Sequence, residues 1–283
     1  MSGAPATTAA DRGPKRKPLA GPLWKRAVLP TYVFLVLAVT LVPIIIMVVY
    51  SLNKAPNERL TFSWHGFTTE WYRGIFDIPD LTSALVTSLA IAALSTVIAV
   101  AIGTPAALAL TRYRFRGRGV GDLVVLADIA APSVVVGASL LGLYVYLGVS
   151  RGFGTILIAH VAFNVAFVIV VLQSRLEDLD PALSEAARDL GSSPVNAFWL
   201  ITVPVIFPAI LSAALLAAAL SIDDFIITSF VAGQKLTFPL WVYGSVKVGI
   251  PPQVFAMGTV IFAAGVLIAI AGLVSARRSP ART

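Results

Sequence analysis

The sequence EAARDLGSSPVNAFWLITVPVIFP, residues 185–208, sets the architecture expected for this chain. It starts as a polar, helix-forming segment and runs into a long apolar one. No charged residue lies between Asp189 and Asp223, and none lies between Arg151 and Arg175 on the other side of the stretch. Each gap is long enough for a helix of about 20 residues to cross a bilayer. The stretch therefore predicts a polar loop between two membrane spans.

The polar part of this stretch carries the signals of a short helix. Asp180 can accept hydrogen bonds as an N-cap, and a proline follows it at the first helical position, where no N–H is needed. Gly191 can end the helix in a left-handed conformation. These signals predict a helix over residues 181–190. Ser193, followed by Pro194, repeats the cap signal and predicts a second helix.

One face of the predicted helix is apolar. The spacing i, i+3, i+4, i+7 places four residues on it, namely Leu183, Ala186, Ala187 and Leu190. Two of them are alanines, which let another surface come close. We interpret the helix as a docking element for a partner, and the alternative is a surface helix packed on its own bundle.

Composition extends the membrane assignment to the whole chain, which is 58% hydrophobic and only 12% charged. Soluble domains have about 25% charged residues. Six charge-free gaps predict spans at residues 28–50, 84–110, 123–147, 154–174, 199–222 and 254–275. Because a backbone in lipid must satisfy its own hydrogen bonds, each span is expected to be helical. The fold class predicted is an all-α integral membrane domain over residues 28–276.

The basic residues predict the orientation. With the N-terminus in the cytoplasm, both termini and the loops 111–121 and 175–198 share one side and hold fifteen of the 21 Lys and Arg. This bias matches the positive-inside rule and places Glu185 in the cytoplasm. The net charge of +7 could indicate nucleic acid, but it fits this topology and anionic headgroups better.

The terminal segments are expected to be cytoplasmic tails. Residues 1–27, rich in Ala, Pro, Lys and Arg, are predicted to be disordered, and residues 277–283 to form a short C-terminal tail. We expect the first span to be retained, since it is long for a signal peptide and no small-residue cleavage site follows closely. The chain has no cysteine, which excludes disulfides and thiol catalysis.

Two aromatic or basic segments lie outside the spans. RYRFRGR, residues 112–118, reads as a stop signal and lipid anchor, or as a contact with a partner subunit. GFTTEWY, residues 66–72, either lies along the headgroups through Phe67, Trp71 and Tyr72 or covers the outer end of the bundle. Prolines 30, 43, 204 and 208 are expected to bend the first and fifth spans.

The segment LSIDDFIITSFVAGQ, residues 220–234, predicts a cation path. It places Asp223 and Asp224 at the end of a charge-free span, where carboxylates usually face a cavity or a partner. Adjacent helical residues point about 100° apart, so one carboxylate could face the path while the other bonds its neighbours. Tyr144, Trp241 and Tyr243 could offer aromatic faces to an ammonium ion. The alternative is a pair of ordinary boundary residues.

Four other polar residues within or beside the spans have structural interpretations. Asp122 and Asp128 are expected to pair with the arginines of residues 112–118 rather than line an inner cavity. His160 and Asn164, four residues apart, are expected to hydrogen-bond between helices. A metal site would need more ligands than this pair, so no metal is expected.

The stretch at residues 185–208 resembles the EAA loop of permease subunits in bacterial ABC importers. The family pattern is matched at Glu185, Ala186, Ala187, Gly191, Ile201 and Pro204, while Val203 stands where leucine is usual. In that family the loop docks the membrane subunit onto an ATPase. The resemblance implies coupling to an ATPase through Glu185, Ala186, Ala187, Asp189 and Gly191.

Five segments, one of them from this same stretch, resemble the permease subunits of spermidine/putrescine ABC importers, more closely the second of the two permeases. They are GFTTEWY, RYRFRGR, EAARDLG, LSIDDFIITSFV and YGSVKVGIPPQV, spread between about residues 66 and 254. The resemblance implies a second permease subunit, two ATPase subunits that bind ATP and Mg, and an external polyamine-binding protein. It implies no cofactor in this chain.

Two other functional classes compete with this interpretation. An ion-coupled secondary transporter would favour matching interrupted helices in both halves, which the sequence does not show. A membrane enzyme would need a clustered nucleophile, metal set or acid/base pair, and no phosphate-binding glycine loop is present for ATP. The expected function is therefore transport without catalysis in this chain, of polyamines or of another small cation.

Overall fold

The charge-free segments fold into helices, since only a helix satisfies its own backbone in hydrocarbon. The computed structural model describes residues 23–56, 59–180 and 182–278. Its helices are α1 (Leu23–Tyr50), α2 (Glu70–Arg73), α3 (Pro79–Arg112), α4 (Arg118–Ala130), α5 (Ser133–Tyr146), α6 (Phe153–Glu177), α7 (Ala182–Asp189), α8 (Pro194–Ala197), α9 (Val203–Asp223), α10 (Ile226–Val231), α11 (Phe238–Ser245) and α12 (Pro252–Arg278). Within the described residues the only β-pairing is an isolated bridge between Asn53 and Phe67. The all-α prediction is confirmed.

Five of these helical segments are long and apolar enough to cross a membrane. They are Val28–Tyr50, Pro79–Arg112, Phe153–Glu177, Pro194–Asp223 and Pro252–Gly272. The pair α4 and α5 makes a sixth span if it is counted as one broken crossing. The tails predicted at residues 1–27 and 277–283 lie mostly outside the described residues, although α1 already begins at Leu23.

The third span is not the continuous helix that the charge-free gap predicted. α4 and α5 meet at an angle of 106° across Ala131 and Pro132. Proline disfavours the helical conformation of the residue before it, and Ala131 is accordingly extended, with φ −69° and ψ 131°. Pro132 is the breaker that the sequence analysis overlooked.

The fifth span begins earlier than predicted, at Pro194, and is irregular near its start. Residues Phe198–Thr202 form a wider π-helical turn directly before α9. Pro204 has no N–H to give to the carbonyl of Leu200, so the regular bonding pattern is interrupted there. In contrast, Pro30 and Pro43 lie inside the uninterrupted α1.

The core of the bundle is formed by α3, α6 and α9. Small residues let these helices approach closely, as membrane helices commonly do. Gly103 of α3 shows why: a Cβ there would lie 2.7 Å from a methyl group of Val168 on α6. α1 packs along α12, and none of its spanning window is buried.

The loop after α1 folds over one end of the bundle. Trp71 is buried and its indole N–H donates to the carbonyl of Asn53 at 2.8 Å. The hydroxyl of Tyr72 bonds that of Ser51, whereas Phe67 is exposed. Of the two interpretations of this segment, covering the bundle end holds for Trp71 and Tyr72.

Candidate functional site

The polar segment that follows α6 is built as its caps predicted. Asp180 Oδ1 accepts from the backbone N–H of Ala182 at 2.9 Å, at the start of α7. Gly191 has a φ of 89°, which a β-carbon would make unfavourable. The N–H of Gly191 donates to Arg188 and that of Ser192 to Ala187, a Schellman end. Ser193 then caps α8 by accepting from the N–H of Asn196 at 3.2 Å.

The apolar face of α7 is largely uncovered within the described part of the chain, although Ala187 is half-buried. Leu183 is 49% exposed and Leu190 is 91% exposed. Glu185, Ala186 and Asp189 are exposed as well. Exposed apolar side chains on a polar helix indicate a surface that another protein covers. α7 also packs against α8 and the turn at Phe198–Thr202, so its own bundle covers part of the helix and leaves Leu183 and Leu190 exposed.

A concavity of about 460 Å³ lies between α7 and the end of α3. Its charged lining consists of Arg112, Arg114, Arg118, Arg188 and Glu185. Arg112 donates through Nη2 to the main-chain carbonyls of Leu176, at 3.0 Å, and of Leu179. Through Arg112, the basic run therefore links the end of α3 to the residues that precede α7.

The predicted pairing of the two aspartates of α4 holds for one of them. Asp122 lies 3.9 Å from the guanidinium of Arg118. Asp128 was predicted wrongly, because its Oδ2 is buried and has no hydrogen-bond partner among the described residues. It lies ten residues along α4 from Arg118, which is about 15 Å away on a helix.

The two adjacent carboxylates lie at a break in the bundle. α9 ends at Asp223, and α10 begins three residues later. Asp224 Oδ2 accepts from the backbone N–H of Thr228 at 2.8 Å and from its hydroxyl at 2.7 Å, and Oδ1 faces the N–H of Ile227 at 3.4 Å. With its side chain 11% exposed, Asp224 serves as the buried cap of α10.

Asp223, in contrast to the mostly buried Asp224, is exposed. It lies on a groove of about 590 Å³ beside α11 and α12. The ring centroids of Phe225 and Tyr243 lie 4.6 Å apart on the same groove. One carboxylate and two aromatic faces therefore share an otherwise apolar surface. This is the arrangement that favours an organic cation over an anion.

The other two aromatic candidates do not reach this groove. Tyr144 is buried between α5, α6 and α10, and its hydroxyl donates to the carbonyl of Thr155 at 3.2 Å. Trp241 lines a separate pocket of about 360 Å³ on the other side of α11. Two residues apart on a helix point in nearly opposite directions, which separates Trp241 from Tyr243.

His160 and Asn164 hydrogen-bond between helices as predicted. His160 Nδ1 lies 2.7 Å from the hydroxyl of Ser221 on α9, and Nε2 lies 2.9 Å from the hydroxyl of Thr228 on α10. The amide of Asn164 donates to Ser95 on α3 at 3.5 Å. His160 also lies beside Asp224, with Nε2 3.4 Å from Oδ2.

Sequence reasoning missed four members of this region, namely Ser95, Ser221, Phe225 and Thr228. Phe225 directly follows the two aspartates, so its position beside Asp223 could have been considered. Ser95 and Ser221 are 126 residues apart, and nothing local relates them. Only the packing of α3 against α9 brings their hydroxyls to 3.2 Å.

Comparison with known proteins identifies relatives over most of the chain. Residues 99–279 match the family model described as binding-protein-dependent transport system inner membrane component. The putrescine transport system permease protein PotI of Escherichia coli K12 is 41% identical over 249 residues, which are 85% of this chain and 88% of that protein. The spermidine/putrescine transport system permease protein PotC of Haemophilus influenzae is 35% identical over 249 residues, 88% of this chain and 96% of that protein.

Solved structures support the fold. A chain from a bacterial ABC transporter involved in the import of the acidic polysaccharide alginate aligns with a TM-score of 0.64, at 18% identity, over 93% of this chain and all of that one. A chain from the MetNI methionine ABC transporter in inward-facing conformations aligns with a TM-score of 0.59, at 18% identity, over 70% of this chain and 94% of that one.

Proposed function

This chain belongs to the family of binding-protein-dependent transport system inner membrane components, and we propose that it is a permease subunit of an ATP-driven polyamine importer. In this role it forms part of the path by which putrescine or spermidine crosses the cell membrane. The chain itself performs no chemical reaction; ATP and Mg are bound by partner subunits. The single observation that carries the substrate class is the exposed carboxylate of Asp223 beside the aromatic pair of Phe225 and Tyr243.

The groove suits the chemistry of a polyamine. Such a molecule carries ammonium groups separated by short methylene chains. Entry into a narrow path removes water from each ammonium, and a fixed carboxylate with aromatic faces offsets part of that cost. The groove around Asp223 is mostly apolar and accommodates the methylene segments. The permeases of 41% and 35% identity are named for putrescine and for spermidine and putrescine, which supports the same class here.

The modest number of charges in the groove favours passage over retention. A transport path must bind its cargo well enough to admit it and weakly enough to release it. Of the two adjacent aspartates, Asp223 is the one exposed on the groove, whereas Asp224 is occupied by the N-terminus of α10. A single available carboxylate meets this requirement better than a dense acidic site.

We propose partner subunits for the surfaces that this chain leaves uncovered. We propose that α7 and the residue after it, with Leu183 and Leu190 exposed, insert into an ATPase subunit through the segment Glu185–Gly191, including Ala186, Ala187 and Asp189. The exposed length of α1 suits a second permease subunit in a heterodimer. An external binding protein delivers the cargo, and both termini of this multi-pass chain lie in the cytoplasm.

Uptake by the reconstituted complex tests this proposal. Vesicles are prepared with both permeases and the ATPase, ATP is sealed inside, and the binding protein is added outside with labelled putrescine or spermidine. We expect saturable accumulation that requires ATP and is not inhibited by a neutral sugar. Accumulation driven by an ion gradient without ATP would favour a secondary transporter. Competition by a monovalent amine but not by polyamines would favour another small cation.

A further inference from the structure

We propose that His160 is a positioning residue of the cation path, acting through Asp224. It relays hydrogen bonds from α3 and α9 to the carboxylate that caps α10, and this keeps Asp223 and Phe225 on the groove. This inference rests on the proposed function, because it assigns His160 a task in presenting Asp223 to the cargo.

The hydrogen-bond partners define the direction of the relay. An ionised carboxylate only accepts hydrogen bonds, so the hydroxyl of Thr228 donates its one proton to Asp224 Oδ2 at 2.7 Å. Its oxygen must then accept from His160 Nε2, 2.9 Å away. On the other side of the ring, Nδ1 lies 2.7 Å from the hydroxyl of Ser221, and the oxygen of Ser221 lies 3.2 Å from the hydroxyl of Ser95.

His160 Nε2 therefore carries a proton and donates toward the hydroxyl of Thr228. The chain of contacts runs from Ser95 through Ser221, His160 and Thr228 and ends on the carboxylate of Asp224. The imidazole also lies 3.4 Å from Asp224 Oδ2, with its side chain 4% exposed. Buried hydrogen bonds of this kind hold the groups that they join in a defined arrangement.

The position of the network gives it a functional consequence. The residues on either side of Asp224 in the chain are Asp223 and Phe225, which both lie on the groove. At this point the backbone is not helical, with Asp224 at φ −65° and ψ 116°. The backbone N–H of Asp224 still donates to Leu220, but its carboxylate makes the bonds that join this link to α10, so releasing the carboxylate would let both groove residues move.

The network also lies deep enough within the bundle to hold Asp224 in a fixed position. His160 lies seven residues after the start of α6 at Phe153, which is about 10 Å along the helix axis. The network joins four helices there: α3 through Ser95, α6 through His160, α9 through Ser221 and α10 through Thr228. Losing one of these hydrogen bonds would weaken the attachment of Asp224, which lies just after the end of α9.

Two matched pairs of substitutions test the relay. His160→Gln keeps a donor near the Nε2 position, whereas His160→Leu removes it. Thr228→Ser keeps the hydroxyl, whereas Thr228→Val removes it at nearly equal volume. We expect the Leu and Val variants to raise the KM for putrescine or spermidine about tenfold, the effect of about one lost hydrogen bond. The Gln and Ser variants should stay within about threefold of wild type, with assembly and basal ATP hydrolysis unchanged in all four.

The background of Asp223→Asn separates positioning from direct contact. If His160 acts by placing Asp223, then adding His160→Leu to Asp223→Asn changes KM by less than about twofold. Independent, multiplying effects would overturn the proposal. So would wild-type KM in His160→Leu and Thr228→Val, or equal failure of all four variants to assemble, since the network would then serve folding alone.

The same measurements distinguish the two proposals. If Asp223→Asn imports polyamines like wild type, the cation site assigned under the proposed function is wrong, and the positioning role falls with it. If Asp223→Asn raises KM while the His160 and Thr228 variants do not, only the positioning role is wrong.

Discussion

The guanidinium of Arg112, at the last residue of α3, donates a hydrogen bond of 3.0 Å to the main-chain carbonyl of Leu176, near the end of α6. It also bonds the carbonyl of Leu179, one turn further along. Carbonyls at a helix end have no intrahelical partner, and a cation satisfies them well. This contact therefore fixes the segment from which α7 projects.

Removing this contact should weaken the link between the membrane bundle and α7. We expect Arg112→Leu to lower the free energy of unfolding by about 1.5–3 kcal/mol, the range for hydrogen bonds to charged groups. ATPase stimulation by cargo should fall with it. Thermal unfolding and ATP hydrolysis of the assembled complex measure both. Arg114→Leu is the matched control, since Arg114 is exposed, and we expect a change of less than about 0.5 kcal/mol. Equal effects of the two variants would contradict the role of Arg112.

The left-handed end of α7 should tolerate asparagine and reject valine at position 191. Gly191 has a φ of 89°, and a β-branched residue there is strongly disfavoured, while asparagine enters this region readily. We expect Gly191→Val to impair binding of the ATPase and uptake, and Gly191→Asn to retain most of both. Because open space surrounds the position of a β-carbon at this site, a loss in Gly191→Val reports the backbone rather than a clash. Wild-type uptake and ATPase stimulation in the valine variant would count against a coupling role.

The two adjacent aspartates should respond differently to the loss of charge. Asp223→Asn keeps size and shape, so we expect normal assembly and basal ATP hydrolysis with uptake reduced about tenfold or more. Asp224→Asn disturbs the cap of α10 and should lower thermal stability as well, by about 1 kcal/mol. Uptake kinetics and thermal unfolding of each variant separate the two effects. Wild-type transport in both variants and in the double variant would make the pair ordinary boundary residues.

Two glycines of α5 should have opposite tolerance for a methyl group. A Cβ on Gly137 would lie 2.5 Å from the ring of Phe230 and 3.3 Å from the backbone of Ile227, so Gly137→Ala overpacks the contact with α10. We expect it to cost about 1–3 kcal/mol of stability. Gly142 has nothing within 4 Å, so Gly142→Ala should be neutral or stabilising, as alanine favours helix. Thermal unfolding of the purified complex compares them, and equal midpoints would refute the close approach of α5 to α10.

Both termini should be inaccessible from outside sealed cells. The chain contains no cysteine, so a single introduced cysteine gives a labelling signal without background from this subunit. We expect Lys15→Cys and Arg282→Cys to react with an impermeant maleimide only after the cells are opened. Lys235→Cys, on the predicted outer side, is the positive control and should react in intact cells. Labelling at position 15 or 282 in intact cells would overturn the topology.

The local chemistry of the coupling segment could be predicted because it depends on neighbouring residues. Asp180, Gly191 and Ser193 act through hydrogen bonds and torsions that span at most five positions. The positions of five spans followed in the same way from charge-free length. The prediction of one further continuous span was wrong at Pro132, because counting charges does not detect a proline that separates two helices, here at an angle of 106°.

What the sequence alone determined was therefore the membrane class, the family pattern and the presence of a carboxylate pair. Only the tertiary structure decided which carboxylate is free, because both aspartates have the same chemistry and adjacent places in the chain. Asp224 is occupied by Thr228, four residues away, and by His160, 64 residues away, which reaches it only when α6 packs beside the end of α9. The same packing leaves Asp223 exposed beside Tyr243 and separates it from Tyr144 and Trp241. Contacts between distant segments depend on how whole helices pack, and no local pattern encodes them.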